Sequence, residues 1–191
     1  PLSGKSFSKT LDCNENGYFS IYDSDRYGFN NIDKNWDKDE IDYLLIGDSF
    51  VHGQCVNEKD TISGNLRKLK NNEKGILNLG YSSSSILVQY ATLREYFPKK
   101  KVNNILYFFH EGNDLKGLTT ELKDDILLNY LNDLDYSQNL INKQKNIDKK
   151  ITEKIEETLN LSEVNNKFNL KKFLKLTNFR EIYLNNLFFQ P

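Results

Sequence analysis

Ile41-Asp42-Tyr43-Leu44-Leu45-Ile46-Gly47-Asp48-Ser49-Phe50-Val51-His52-Gly53-Gln54-Cys55-Val56 is the stretch from which the rest of the chain is read. The run from Ile41 to Ile46 is short, apolar and rich in Ile, Leu and Tyr. Gly47-Asp48-Ser49 then interrupts it, which predicts a buried strand ending in a sharp turn, with a helix to follow. Ser49 would sit at the carboxyl end of a strand and at the amino end of a helix. Backbone N–H groups are unpaired there, and the helix dipole favours developing negative charge. That suits a nucleophile, although Gly-Asp-Ser is also an ordinary turn composition.

Two further blocks have the same form. Ile76-Leu77-Asn78-Leu79-Gly80 is an apolar run closed by glycine, and Ile105 to Phe109 is another, closed by His110-Glu111-Gly112-Asn113-Asp114. Ser49, Gly80 and Asn113 are 31 and 33 residues apart, each just past a predicted strand. In a parallel sheet built from strand-helix-strand units, the loops at the carboxyl ends of successive strands lie along one edge. All three residues can converge there.

On these residues the chain resembles the SGNH hydrolase superfamily of GDSL-type esterases. Gly47-Asp48-Ser49-Phe50 is similar to its first block, Gly80 to its second and Gly112-Asn113-Asp114 to its third. Residues 26 to 31, Arg-Tyr-Gly-Phe-Asn-Asn, and 111 to 115, Glu-Gly-Asn-Asp-Leu, resemble a bacterial branch. The resemblance covers about residues 13 to 160. It implies a three-layer αβα, flavodoxin-like parallel sheet. It also implies Ser49 as nucleophile, with an oxyanion hole formed by the Ser49 N–H, the Gly80 N–H and the Asn113 side-chain amide. Gly47, Asp48, Gly112 and Asp114 would support these loops, with Asp48 fixing its turn and Asp114 orienting the loop that presents Asn113. The family's fourth block, an Asp-x-x-His that supplies the base and its carboxylate, has no counterpart after Asn113.

Composition excludes several classes. A chain of 191 residues suits one domain with a sizeable core. A formal net charge of −1 gives no electrostatic case for nucleic acid, and the lysines are interspersed with acids. No apolar run is long enough to span a bilayer. Two histidines without a compact set of cysteine or carboxylate partners make a poor zinc site, so neither metal nor cofactor is expected. His52 and His110 both lie near the predicted site, but neither stands at the family's base position, and a histidine three residues along the nucleophile's own turn usually points away.

Residues 1–40 are aromatic without a clear period, and predict an edge segment packed across the sheet. The sharper alternative lines the cleft with Arg26 to Asn31. For Cys13 and Cys55 the default reading is two buried thiols, and a disulfide stapling the first segment near the site is the alternative. Residues 41–120 form the α/β core. Its crossover helices are expected over 57–71, with Ile62, Leu66 and Leu69 inward, and from the serines at 82–85 to Pro98, with Ile86, Tyr90, Leu93 and Phe97 inward. Serine at a helix start explains that run better than a second nucleophile does. Residues 121–191 show apolar Leu122, Ile126, Leu127, Tyr130, Leu131 and Leu134, then Ile147, Ile151, Ile155 and Leu159, then Phe168 to Phe189. They read as a helical extension or insertion. Three strands fall short of what such a domain needs, so further strands and the base are expected beyond Pro191.

The function expected is hydrolysis of acyl esters, acetyl among them, on a small molecule or a glycan. The alternatives are a glycan O-acyltransferase and a catalytically inactive SGNH-like binding module. An exported or membrane-anchored bacterial protein is favoured by the family. Oligomeric state is not readable from the sequence.

Overall fold

The computed structural model describes residues 2–15, 17–71 and 73–165, with only the backbone helix given for 160–165. Its sheet is centred on β3 (Glu40–Ile46), after a short hairpin of β1 (Lys9–Leu11) and β2 (Ile21–Asp23). β4 (Gly75–Asn78) and β5 (Lys101–Tyr107) flank β3 in the order β4-β3-β5, both parallel to it. Leu44 stands level with Leu77 on one side and Ile105 on the other. A strand covered on both faces needs an unbroken apolar run rather than alternation. Leu44, Leu45 and Ile46 are accordingly all buried.

The chain passes from β3 to β4 through α2 (Ile62–Leu69) and from β4 to β5 through α3 (Ile86–Tyr96). These crossovers run in opposite directions across the sheet, so right-handed connection puts the two helices on opposite faces. Packing agrees. Ile62 and Leu66 of α2 lie against Leu45 and Ile76, whereas Leu87 and Ala91 of α3 share a core with Leu44, Ile46 and Leu77. The helix faces differ in detail from expectation. Leu69 is exposed on the last turn of α2, and α3 buries Leu87, Ala91 and Tyr96 while Phe97 is exposed. Tertiary neighbours on several sides, rather than one apolar stripe, set which α3 residues go inward.

Asn31 and Asn35 cover the outer edge of β4. Asn31 acts there as a substitute strand, its Nδ2 donating to Asn78 O at 2.9 Å and its Oδ1 accepting from Asn78 N at 2.8 Å. Asn35 Oδ1 accepts from Ile76 N. Side-chain amides thus satisfy an edge that would otherwise invite another strand. Tyr22, Phe29 and Trp36 are buried, and Tyr27 and Phe29 pack on Tyr96. The buried carboxylate of Asp25 anchors the segment by accepting from Tyr27 N, Phe29 N, Asn31 Nδ2 and Trp36 Nε1.

Cys13 and Cys55 form a disulfide with Cα atoms 4.9 Å apart, in place of the two thiols expected by default. The hairpin brings them together. Asp12 Oδ2 also accepts from Cys55 N, so the loop after Ser49 is tied twice to the residues that follow β1.

Among the described residues three α-helices follow β5: α4 (Glu111–Glu121), α5 (Asp125–Asn132) and α6 (Gln144–Asn165). Leu127, Tyr130 and Ile147 join the core, whereas Leu122, Ile126, Leu131, Leu134, Ile155 and Leu159 are exposed. Glu95 of α3 holds the loop before α6 by accepting from Ser137 Oγ, Gln138 N and Leu140 N. Among the described residues no strand follows Tyr107, and β5 leaves Ile105 and Tyr107 half exposed. The first compact unit ends at Ile151. The second begins at Thr152, and its described part is the remainder of α6. The apolar stretch expected over Phe168 to Phe189 lies outside the described residues. Among those described, no helix is long and apolar enough to cross a membrane.

Candidate active site

Ser49 opens α1 (Ser49–His52), a single turn leaving the carboxyl end of β3. Asp48 is its N-cap, with Oδ1 accepting from Phe50 N at 3.0 Å. The turn is held from below. Val51 O accepts from Asn78 Nδ2 at 2.6 Å, and His52 O accepts from Asn30 Nδ2 at 2.9 Å. Asn30 therefore supports the turn from beneath, while Arg26 pairs with Asp33 and Asp37; neither lines the cleft described below. Ser49 is half-buried, and no hydrogen-bond partner of its hydroxyl occurs among the described residues.

Gly80 lies directly beneath this turn. A Cβ there would stand 2.6 Å from Val51 Cβ and 2.7 Å from His52 N, so only glycine permits the approach. Its N–H donates to Asn78 Oδ1 at 2.8 Å, and Gly80 is not among the cleft-lining residues. The loop reaches the cleft further on, at Ser83 to Ser85. Ser83 has φ +62°, in the left-handed region that a serine seldom adopts. Gly47 sits at the junction, its carbonyl accepting from Tyr81 N and Ser84 Oγ, both at 3.2 Å.

The third block forms the first turn of α4, which carries Gly112, Asn113 and Asp114. Asp114 is fully buried. Its carboxylate accepts from His110 N at 2.8 Å and from Gln89 Nε2 at 3.0 Å, which fixes the helix start against α3. Asn113 Nδ2 donates to Asp48 Oδ2 at 3.4 Å. The structure thus brings Ser49, Asp48 and Asn113 together, with Ser83 rather than Gly80 beside them.

These residues line a cleft of about 410 Å³ that also meets Gln54, Lys116 and Thr120. Every residue lining it is polar or glycine. The serines on its wall do not cap α3 as expected: Ser85 occupies the N-cap position, but its side chain makes no capping bond. Glu121 of α4 caps α3 instead, accepting from Ser85 N and Leu87 N at 2.8 Å each. A carboxylate 36 residues downstream leaves no local sequence signal, which is why it went unread. Lys116 also went unread, as one lysine among many.

Neither histidine reaches Ser49. His52 is buried under the β1–β2 hairpin, with Nδ1 2.8 Å from Ser82 Oγ, its ring against Tyr22 and Tyr81, and Nε2 without a hydrogen-bond partner among the described residues. Burial pulls its pKa below the ordinary 6.5. His110 packs on Phe50, with ring centroids 5.4 Å apart. Among the described residues no cluster of His, Cys, Asp and Glu could hold a metal ion.

No family model, curated protein or solved structure matches this chain.

Proposed function

We propose that the chain carries the nucleophile and oxyanion-binding half of an SGNH-type serine hydrolase acting on short acyl esters of a hydroxyl-rich carrier such as a sugar. The carrying observation is that Ser49, at a helix start, shares one cleft with Asn113 and the left-handed Ser83. Ser49 Oγ attacks the ester carbonyl, and a base outside the described residues takes its proton. The Ser49 N–H, the Asn113 amide and a backbone N–H of the 80–83 loop stabilise the tetrahedral oxyanion. In that loop the geometry favours Ser83 over Gly80, because the Gly80 N–H is engaged by Asn78.

The lining residues, all polar or glycine, offer hydrogen-bonding partners to a small acyl group on a polyol. The same machinery serves an O-acyltransferase when a sugar hydroxyl replaces water. The Cys13–Cys55 disulfide supports an oxidising compartment, consistent with export.

One observation favours the binding-module reading: no described histidine contacts Ser49. Turnover of acetylated sugars by the wild type and by Ser49→Ala separates the two. A hydrolase loses turnover in the variant while keeping its fold. A binding module shows no turnover above background in either and retains sugar affinity in both.

A further inference from the structure

Charge around the cleft is unevenly engaged. Asp48 has its two oxygens facing Phe50 N and Asn113 Nδ2. Asp114 is buried against His110 N and Gln89, and Glu121 holds the N–H groups at the start of α3. Each of these acids has its negative charge answered by donors of the protein itself. Lys116 is different. It is exposed, lies one turn along α4 from Asn113 and lines the same cleft, and it takes part in none of the ion pairs among the described residues.

From this we infer that the cleft selects acyl esters carried on an anionic polyol, with Lys116 pairing with a carboxylate or phosphate on the alcohol part of the ester. The inference rests on the hydrolase reading for the position of the ester, but its own content is the charge of the carrier. Lys116 determines specificity here and takes no part in bond making.

Binding without turnover tests it. Chemical-shift titration of the whole chain with glucuronate, glucose 6-phosphate and glucose, at low salt and at 0.5 M salt, gives relative affinities without requiring a base. Expected is about two- to fivefold tighter binding of one or both anionic sugars than of glucose, the range an exposed ion pair supplies. The preference should shrink at high salt, disappear in Lys116→Gln and persist in Lys116→Arg. Which anion shows it distinguishes carboxylate from phosphate. Equal affinity for all three sugars, no binding of any, or a preference retained in Lys116→Gln would overturn the inference. Acetylation of Ser49 by a neutral activated ester reads the hydrolase proposal separately. A chain that acetylates at Ser49 without anion preference loses only this inference, and one that prefers anions without acetylating loses the hydrolase reading.

Discussion

Asp48 Oδ2 accepts from Asn113 Nδ2 across 3.4 Å, joining the turn after β3 to the first turn of α4. Because Asp48 Oδ1 also caps α1, one carboxylate fixes both the helix that presents Ser49 and the amide proposed to meet the oxyanion.

Asp48→Asn separates these two tasks. Asparagine caps a helix about as well as aspartate, so the free energy of unfolding in urea should change by less than about 1 kcal/mol. Its amide, however, turns a donor toward the donor of Asn113. Ester turnover should fall toward that of Asn113→Ala, which loses about 10²–10³ as one oxyanion donor. A full-activity Asp48→Asn enzyme would remove Asp48 from the account.

Glu121→Ala should destabilise the fold by about 1.5–3 kcal/mol, the range for hydrogen bonds to a charged acceptor. It opens the start of α3, whose N–H groups Glu121 accepts. Hydrogen exchange at Ser85 and Leu87 reports it directly. Unchanged protection at both amides would show that water or another group caps α3 equally well.

The Cys13–Cys55 bridge closes a loop with a sequence separation of 42, and loss of such a cross-link typically costs about 2–4 kcal/mol. A Cys13→Ser, Cys55→Ser double variant should unfold at correspondingly lower urea. Adding reductant should move the wild type to the same midpoint and leave the variant where it is. Two free thiols in the denatured, unreduced protein would contradict the bridge itself.

His52 gives the fold a pH dependence of definite sign. Its folded pKa lies below the ordinary 6.5 because burial penalises the charged ring, with the nearby Asp12 charge opposing the shift. Stability linked to the neutral ring is therefore full above pH 6.5 and lost as pH falls through the lower folded value. Urea midpoints between pH 7 and pH 5 should fall more steeply in the wild type than in His52→Gln. Parallel slopes would show that His52 protonates freely in the folded chain.

How much was readable from sequence followed the length of the interactions. The three strands, their parallel pairing and the Ser49 turn were legible, because short apolar runs closed by glycine or by Gly-Asp-Ser carry a local signal. The edge role of residues 1–40 was legible as aromatic packing. The agents that cap the β4 edge, Asn31 and Asn35, were not, since amides in place of a strand leave no periodicity. Gly80 was read as a donor at the site, but its sequence signal reports the close approach to α1. The loop reaches the cleft at Ser83 to Ser85, in a run of serines where the left-handed turn at Ser83 is revealed only by the fold. Glu121 and the Cys13–Cys55 pair depend on contacts between distant parts of the chain, beyond any local pattern.

Ser49, as the proposed nucleophile of an oxyanion-binding cleft, should be open to acylation. The most direct measurement is peptide mass mapping after exposure to an activated acetyl ester at mildly alkaline pH, where a good leaving group lessens the need for a base. Expected is acetyl on the Ser49 peptide, none in Ser49→Ala and a marked reduction in Asn113→Ala. Acetylation confined to lysines, or the same in Ser49→Ala as in the wild type, would contradict it.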